Sequence, residues 1–103
     1  MNKYRTHNCG ELNKNHVDNA VLLSGWIHKK RDHGNLLFID LRDNFGITQC
    51  IVNKDNSNFS QLEKIPLETV IKVEGNVLKR SSDTINNEIL TGEIEIKINF
   101  KNS

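Results

Sequence analysis

From Val21 onward, apolar and polar residues alternate with the period of two that belongs to half-buried strands. Val21, Leu23, Gly25 and Ile27 fall on one face of a first strand, which turns Trp26 to the other. In a second strand over residues 36–42, Leu37, Ile39 and Leu41 face a core, so Leu36, Phe38, Asp40 and Arg42 point the opposite way. A third strand, 47–53, is apolar on both sides apart from Thr48 and Gln49, and the pattern does not fix its facing. Residues 70–80 set Ile71, Val73, Gly75 and Val77 against Lys72, Glu74, Asn76 and Leu78. The most regular alternation is the last, 92–100, with Ile94, Ile96, Ile98 and Phe100 inward and Glu93, Glu95, Lys97 and Asn99 outward.

Turn chemistry separates these strands. Asp32-His33-Gly34-Asn35 and Asp43-Asn44-Phe45-Gly46 mark tight connections on either side of the second strand. After a polar loop at 54–58, Ser57 or Asn58 is placed to cap a helix in which Phe59, Leu62 and Ile65 share a face before Pro66 stops it. Residues 81–91 form a long polar loop, and residues 1–19 a lead-in with a short turn or one-turn helix between Glu11 and Val17. Three strands, a helix and two strands, with glycines Gly25 and Gly75 where the first and fourth strands must bend, is the order of the all-β, five-stranded OB barrel, a Greek-key fold. An SH3-like barrel is the rival, and the helix between the third and fourth strands favours OB. The barrel would then occupy residues 20–103. In that fold ligands lie on the second and third strands, flanked by the first and last loops. Phe38, Gln49, the loop at 31–35 and the loop at 81–91 therefore share one surface.

Composition narrows the function. A chain of 103 residues with 36% hydrophobic and 26% charged residues is one globular domain. Its net charge of +1 excludes a partner held by phosphate neutralisation alone, so any nucleic-acid site is local and uses base contacts. Two cysteines are too few for a disulfide framework, no apolar signal follows Met1, and no run approaches a membrane span, which makes the cytoplasm the expected compartment. His7, Cys9, His16, His28, His33 and Cys50 lack CxxC or HxxxH spacing, and no metal site is expected.

Residues 25–49 carry the candidate chemistry. The outward Phe38 sits among charges, His28, Lys29, Lys30 and Arg31 precede it, and Gln49 follows on the next strand. Cation, aromatic face and bidentate amide are the groups with which proteins hold unpaired bases. Each also has a plainer reading: single surface apolars are common, and basic residues guard strand edges. Lys30 and Arg31 face opposite ways, so they cannot serve one site by the same geometry. Trp26 reads as core-edge packing, and Asp40 and Asp43 as turn residues or partners of Arg42.

The chain resembles the N-terminal anticodon-binding domain of bacterial aspartyl-tRNA synthetases. The resemblance rests on Arg5-Thr6-His7-Asn8-Cys9-Gly10-Glu11-Leu12, His16-Val17, Gly25-Trp26-Ile27, Lys30-Arg31-Asp32-His33-Gly34, Phe38-Ile39-Asp40-Leu41-Arg42-Asp43 and Thr91-Gly92-Glu93-Ile94-Glu95. It implies that Phe38 stacks on the middle anticodon base, a uracil, that Gln49 reads that base, and that Arg31 lies beside it. Glu95 matches an acid at the first base, a guanine, while Arg80 and Asn86 lie near matching polar positions in a loop that departs from the family pattern. Histidine at position 33 resembles the relaxed form of the enzyme, which charges tRNA(Asn) as well as tRNA(Asp). The resemblance further implies a larger, homodimeric class II ligase that uses ATP and magnesium. This chain, by that reading, is a monomeric, cofactor-free piece of such an enzyme that binds tRNA without charging it. The rival functions are a free-standing OB protein for single-stranded nucleic acid and a protein-interaction barrel.

Overall fold

The computed structural model describes the backbone of residues 5–102 and the side chains of residues 5–99. Its elements are β1 (Ala20–Asp32), β2 (Leu36–Asp43), β3 (Gly46–Asn53), α1 (Phe59–Lys64), β4 (Val70–Lys79) and β5 (Ile94–Asn102). The strands close into a barrel in the order β1-β2-β3-β5-β4, with β3 and β5 parallel and the other pairs antiparallel. That seam, with the helix in the β3–β4 connection, is the OB arrangement expected from the element order.

β1 is long because it serves two neighbours. Its first half pairs with β4 and its second with β2, and Trp26 is paired to both Val70 and Arg42. At the corner a Cβ on Gly25 would lie 2.4 Å from the Arg42 carbonyl oxygen, and one on Gly75 would lie 2.3 Å from that of Lys97, so only glycine lets the strands close. Val21, Leu23, Ile27, Leu37, Ile39, Leu41, Ile71, Val73, Val77, Ile94, Ile96 and Ile98 fill the interior, as the alternation predicts. The inward placement expected for Phe100 falls outside the described side chains. β3, whose facing the pattern left open, is buried from Thr48 to Val52 on both sides.

A helix of six residues is too short to stand alone. α1 is held by the burial of Phe59 and Leu62, with Ile65 packed alongside. The Lys30 ammonium donates to the carbonyls of Leu62, Glu63 and Ile65, which a helix end leaves without partners. The expected cap is corrected here: Asn58 holds the N-cap position but makes no side-chain cap bond. Asn56 acts instead, its Oδ1 accepting from the Asn58 amide while its Nδ2 donates to the Ile98 and Asn99 carbonyls of β5.

The segment before β1 contains a 3-10 turn at Lys14–His16, capped by Asn13. It contributes Cys9 and Leu12 to the core. Asp43 fastens it: Oδ2 accepts from the Cys9 amide and Arg5, and Oδ1 from the Phe45 and Gly46 amides of the β2–β3 turn. Asp43 is thus a turn residue as read from the sequence, but its ion pair is with Arg5 and that of Asp40 is with Arg31, not Arg42.

Candidate nucleic-acid interface

The candidate residues assemble because β1 contains a bulge. Ile27 pairs with Leu41 and Lys29 with Asp40, which leaves His28 as the extra residue and reverses the facing of all that follows. Arg31 then lies opposite Phe38 on the outer face, and Lys30 turns toward the barrel end closed by α1. Phe38 is half-buried. The Arg31 guanidinium carbon is 5.7 Å from its ring centre, within cation–π range, and the His33 ring meets it edge-on at 4.9 Å. His33 is set by the β1–β2 turn, where its amide donates to the Leu36 carbonyl and Asp32 Oδ1 accepts from the Gly34 amide.

Beside Phe38, Gln49 lies opposite Asp40 on β3. Its Oε1 accepts from Arg31 at 2.9 Å, and its Nε2 donates to Glu95 Oε1 at 2.9 Å. A guanidinium on one side and a carboxylate on the other fix which end of the amide is oxygen. A carboxamide carries two N–H donors and two lone pairs, so one of each remains for a ligand. Arg31 is further held by Asp40 at 3.7 Å. Phe38, Arg31, Gln49 and Glu95 therefore form one connected surface.

Arg80 and Asn86 line the same partly enclosed cleft, of about 270 Å³, with Arg31, Asp40 and Gln49. Arg80 is 95% removed from solvent, and its contacts are to backbone: Nε donates to the Ile94 carbonyl and an Nη to that of Thr84. Burial lowers its pKa, partly opposed by the charge of Glu95. Asn86 Oδ1 accepts from the Glu88 amide, while its backbone amide donates to the Gly92 carbonyl. Both shape the β4–β5 loop around the cleft. Asp40 is the residue that sequence reasoning assigned elsewhere; its outward parity with Phe38 was the available signal. Among the described residues no group of three or more His, Cys, Asp or Glu gathers as a metal site, and no helix is long and apolar enough to cross a membrane.

A closed OB barrel with an aromatic, a pinned amide and flanking cations on β1–β3 is the arrangement with which OB domains bind nucleic acid. The chain belongs to the tRNA anti-codon family of OB-fold nucleic acid binding domains, whose family model matches residues 21–100. It is 64% identical over 99 residues, 96% of its length, to the aspartate–tRNA(Asp/Asn) ligase of Pelagibacter ubique, and spans 17% of that protein. It is 54% identical, again over 96% of its length, to the ligase of the same name from a Wolbachia of Drosophila simulans, spanning 16% of it. The asparaginyl-tRNA synthetase of Pyrococcus horikoshii has the same fold, with a TM-score of 0.78 at 24% identity over 93% of this chain and 21% of that one. The resemblance to aspartyl-tRNA synthetases read from the motifs is borne out.

Proposed function

We propose that the chain is the anticodon-recognition domain of an aspartate–tRNA ligase, and that it reads the anticodon through Phe38, Gln49, Arg31 and Glu95. The observation that carries this is the orientation of Gln49 between Arg31 and Glu95, beside the Phe38 ring. Phe38 supplies the stacking face for the middle uracil, and Arg31 the charge beside it. The spare lone pair and N–H of Gln49 match uracil's imino donor and carbonyl acceptor. Glu95 keeps one oxygen outside its bond to Gln49, and a carboxylate accepts from the imino and amino groups of a guanine at the first base. Arg80 and Asn86 hold the loop over that base. His33, against the Phe38 ring, lies by the third base, where the anticodons of tRNA(Asp) and tRNA(Asn) differ. The ligase name of the two relatives, which couples Asp and Asn, supports acceptance of both tRNAs here.

The whole protein, on this reading, is a cytoplasmic homodimer whose ATP and magnesium belong to its catalytic portion, while the isolated domain is a monomer. The 103-residue chain with ATP, magnesium, aspartate and tRNA yields no aspartyl-tRNA, and charging by the pure chain would overturn that assignment.

The test is a titration of an anticodon stem-loop against the same hairpin with a scrambled loop, at stated salt, using wild type and Phe38→Ala. Base–aromatic stacking contributes about 1–3 kcal/mol per base, so Phe38→Ala weakens the cognate complex roughly tenfold. Equal binding of both hairpins would make this a non-specific single-strand binder, and an unaffected Phe38→Ala would make the surface a protein contact.

A further inference from the structure

A second aromatic, this one exposed, lies along the same surface. Phe45, in the β2–β3 turn, is 58% exposed, and Leu90 in the β4–β5 loop is 82% exposed. Both line a cleft of about 350 Å³ whose walls also include Arg42 and Ile47. The Arg5 guanidinium carbon lies 5.1 Å from the Phe45 ring centre, held there by its ion pair with Asp43. Arg42 ends the outward row Phe38, Asp40, Arg42 and is exposed.

This cleft is not isolated from the candidate anticodon site. Ile47, Glu88 and Ile89 line both, forming a shared wall. Ile47 precedes Gln49 on the same face of β3, two residues or about 7 Å away. We propose that the Phe45–Leu90 cleft takes the base of the nucleotide immediately 5′ to the anticodon triplet, stacked on Phe45. This rests on the order given above, with the third base by His33, the middle base on Phe38 and the first by Glu95. Continuing in that direction along β3 leads past Gln49 to Ile47 and into the cleft.

The chemistry of the walls fits an uncharged base with its phosphate held outside. Phe45 and Leu90 offer apolar faces, and Arg5 next to the ring is the pairing that base-stacking sites use. Asp43 does not repel a strand, because its carboxylate is occupied by Arg5 and three backbone amides. Glu88 on the shared wall keeps phosphate out of the cleft and leaves Arg42 at the rim to receive it.

The experiment uses the 103-residue chain and an anticodon stem-loop in which the nucleotide 5′ to the triplet is either intact or abasic. Removing that base weakens wild-type binding roughly five- to tenfold, near the low end for stacking on an aromatic. Phe45→Ala weakens the intact hairpin by a similar factor and does not weaken the abasic one further, while Phe45→Trp retains the wild-type preference. Leu90→Ser, at an exposed loop position that cannot unfold the barrel, halves or more than halves the same preference. Additive effects of Phe45→Ala and the abasic change, or no effect of either, would overturn the proposal. The triplet reading is scored separately, by scrambling the triplet with the 5′ nucleotide intact. A lost triplet preference sinks that reading, and absence of all binding sinks both.

Discussion

Gln49 is an uncommon residue to find 93% removed from solvent, and its two charged neighbours explain its burial and fix the direction of its amide. Its amide is paired at both ends, so burial leaves no orphaned group, and the pairing prevents the end-over-end flip that would let it read a different base. Replacing it by glutamate puts a carboxylate against Glu95; binding of the cognate hairpin falls at least tenfold by titration, whereas Gln49→Ala removes the base contact without the repulsion. Cys9 and Cys50 show the opposite use of burial. Both thiol pKa values are pushed far above the ordinary range, chiefly by desolvation, with Asp43 and Cys50 adding at Cys9 and Asp40 at Cys50. Neither reacts with a thiol reagent at pH 9 in the folded protein, and both react on unfolding. The sign follows from linkage: above about pH 8.5 the unfolded chain releases thiol protons that the folded chain keeps, so stability falls as pH rises. Rapid labelling of native protein would contradict the buried placement.

Among the elements, the bulge at His28 decides the site. Unbroken alternation from Val21 would send Arg31 to the same side as Ile27, into the core. The one extra residue sends it outward to Phe38 and gives Lys30 to the helix. Sequence alternation made Phe38, Glu95 and the core faces legible, because those strands pair without interruption around the residues concerned. A bulge carries no such signature here, since basic residues are tolerated on either side of a strand end. The buried facing of Gln49 was likewise hidden, because both sides of β3 are covered. Cys9 and Leu12 escaped notice as core residues because no periodicity surrounds them. Lys30 offers a direct check on this account. Lys30→Met removes the charge from three helix carbonyls and, at about 1.5–3 kcal/mol for a bond to a charged group, lowers the urea midpoint without changing Arg31-dependent RNA binding. A neutral effect on stability would mean that α1 is held by Phe59 and Leu62 alone.

For the whole molecule, near-neutral charge and a single connected surface predict selective rather than strong binding. A protein that neutralises few phosphates loses little affinity as salt rises, so the slope of log K against log salt is shallow, corresponding to about one to three phosphates. A steep slope would indicate a broad electrostatic footprint, at odds with the net charge of +1. The barrel order places β2 and β3 side by side on the binding face, which is why the element order alone indicates where to look. His33 adds a prediction at this scale: hairpins bearing the Asp and Asn anticodons bind within a few-fold of each other, and His33→Leu widens the gap in favour of Asp.

On the proposed reading, the middle anticodon base meets an amide whose direction Arg31 and Glu95 fix. Changing that base from uracil to cytosine in an otherwise identical stem-loop exchanges donor for acceptor at the edge facing Gln49. A well-oriented bidentate contact discriminates by about 1–3 kcal/mol, so the cytosine hairpin binds wild type roughly tenfold or more weakly, and Gln49→Ala abolishes the difference. Equal affinity of wild type for the two hairpins would contradict the account.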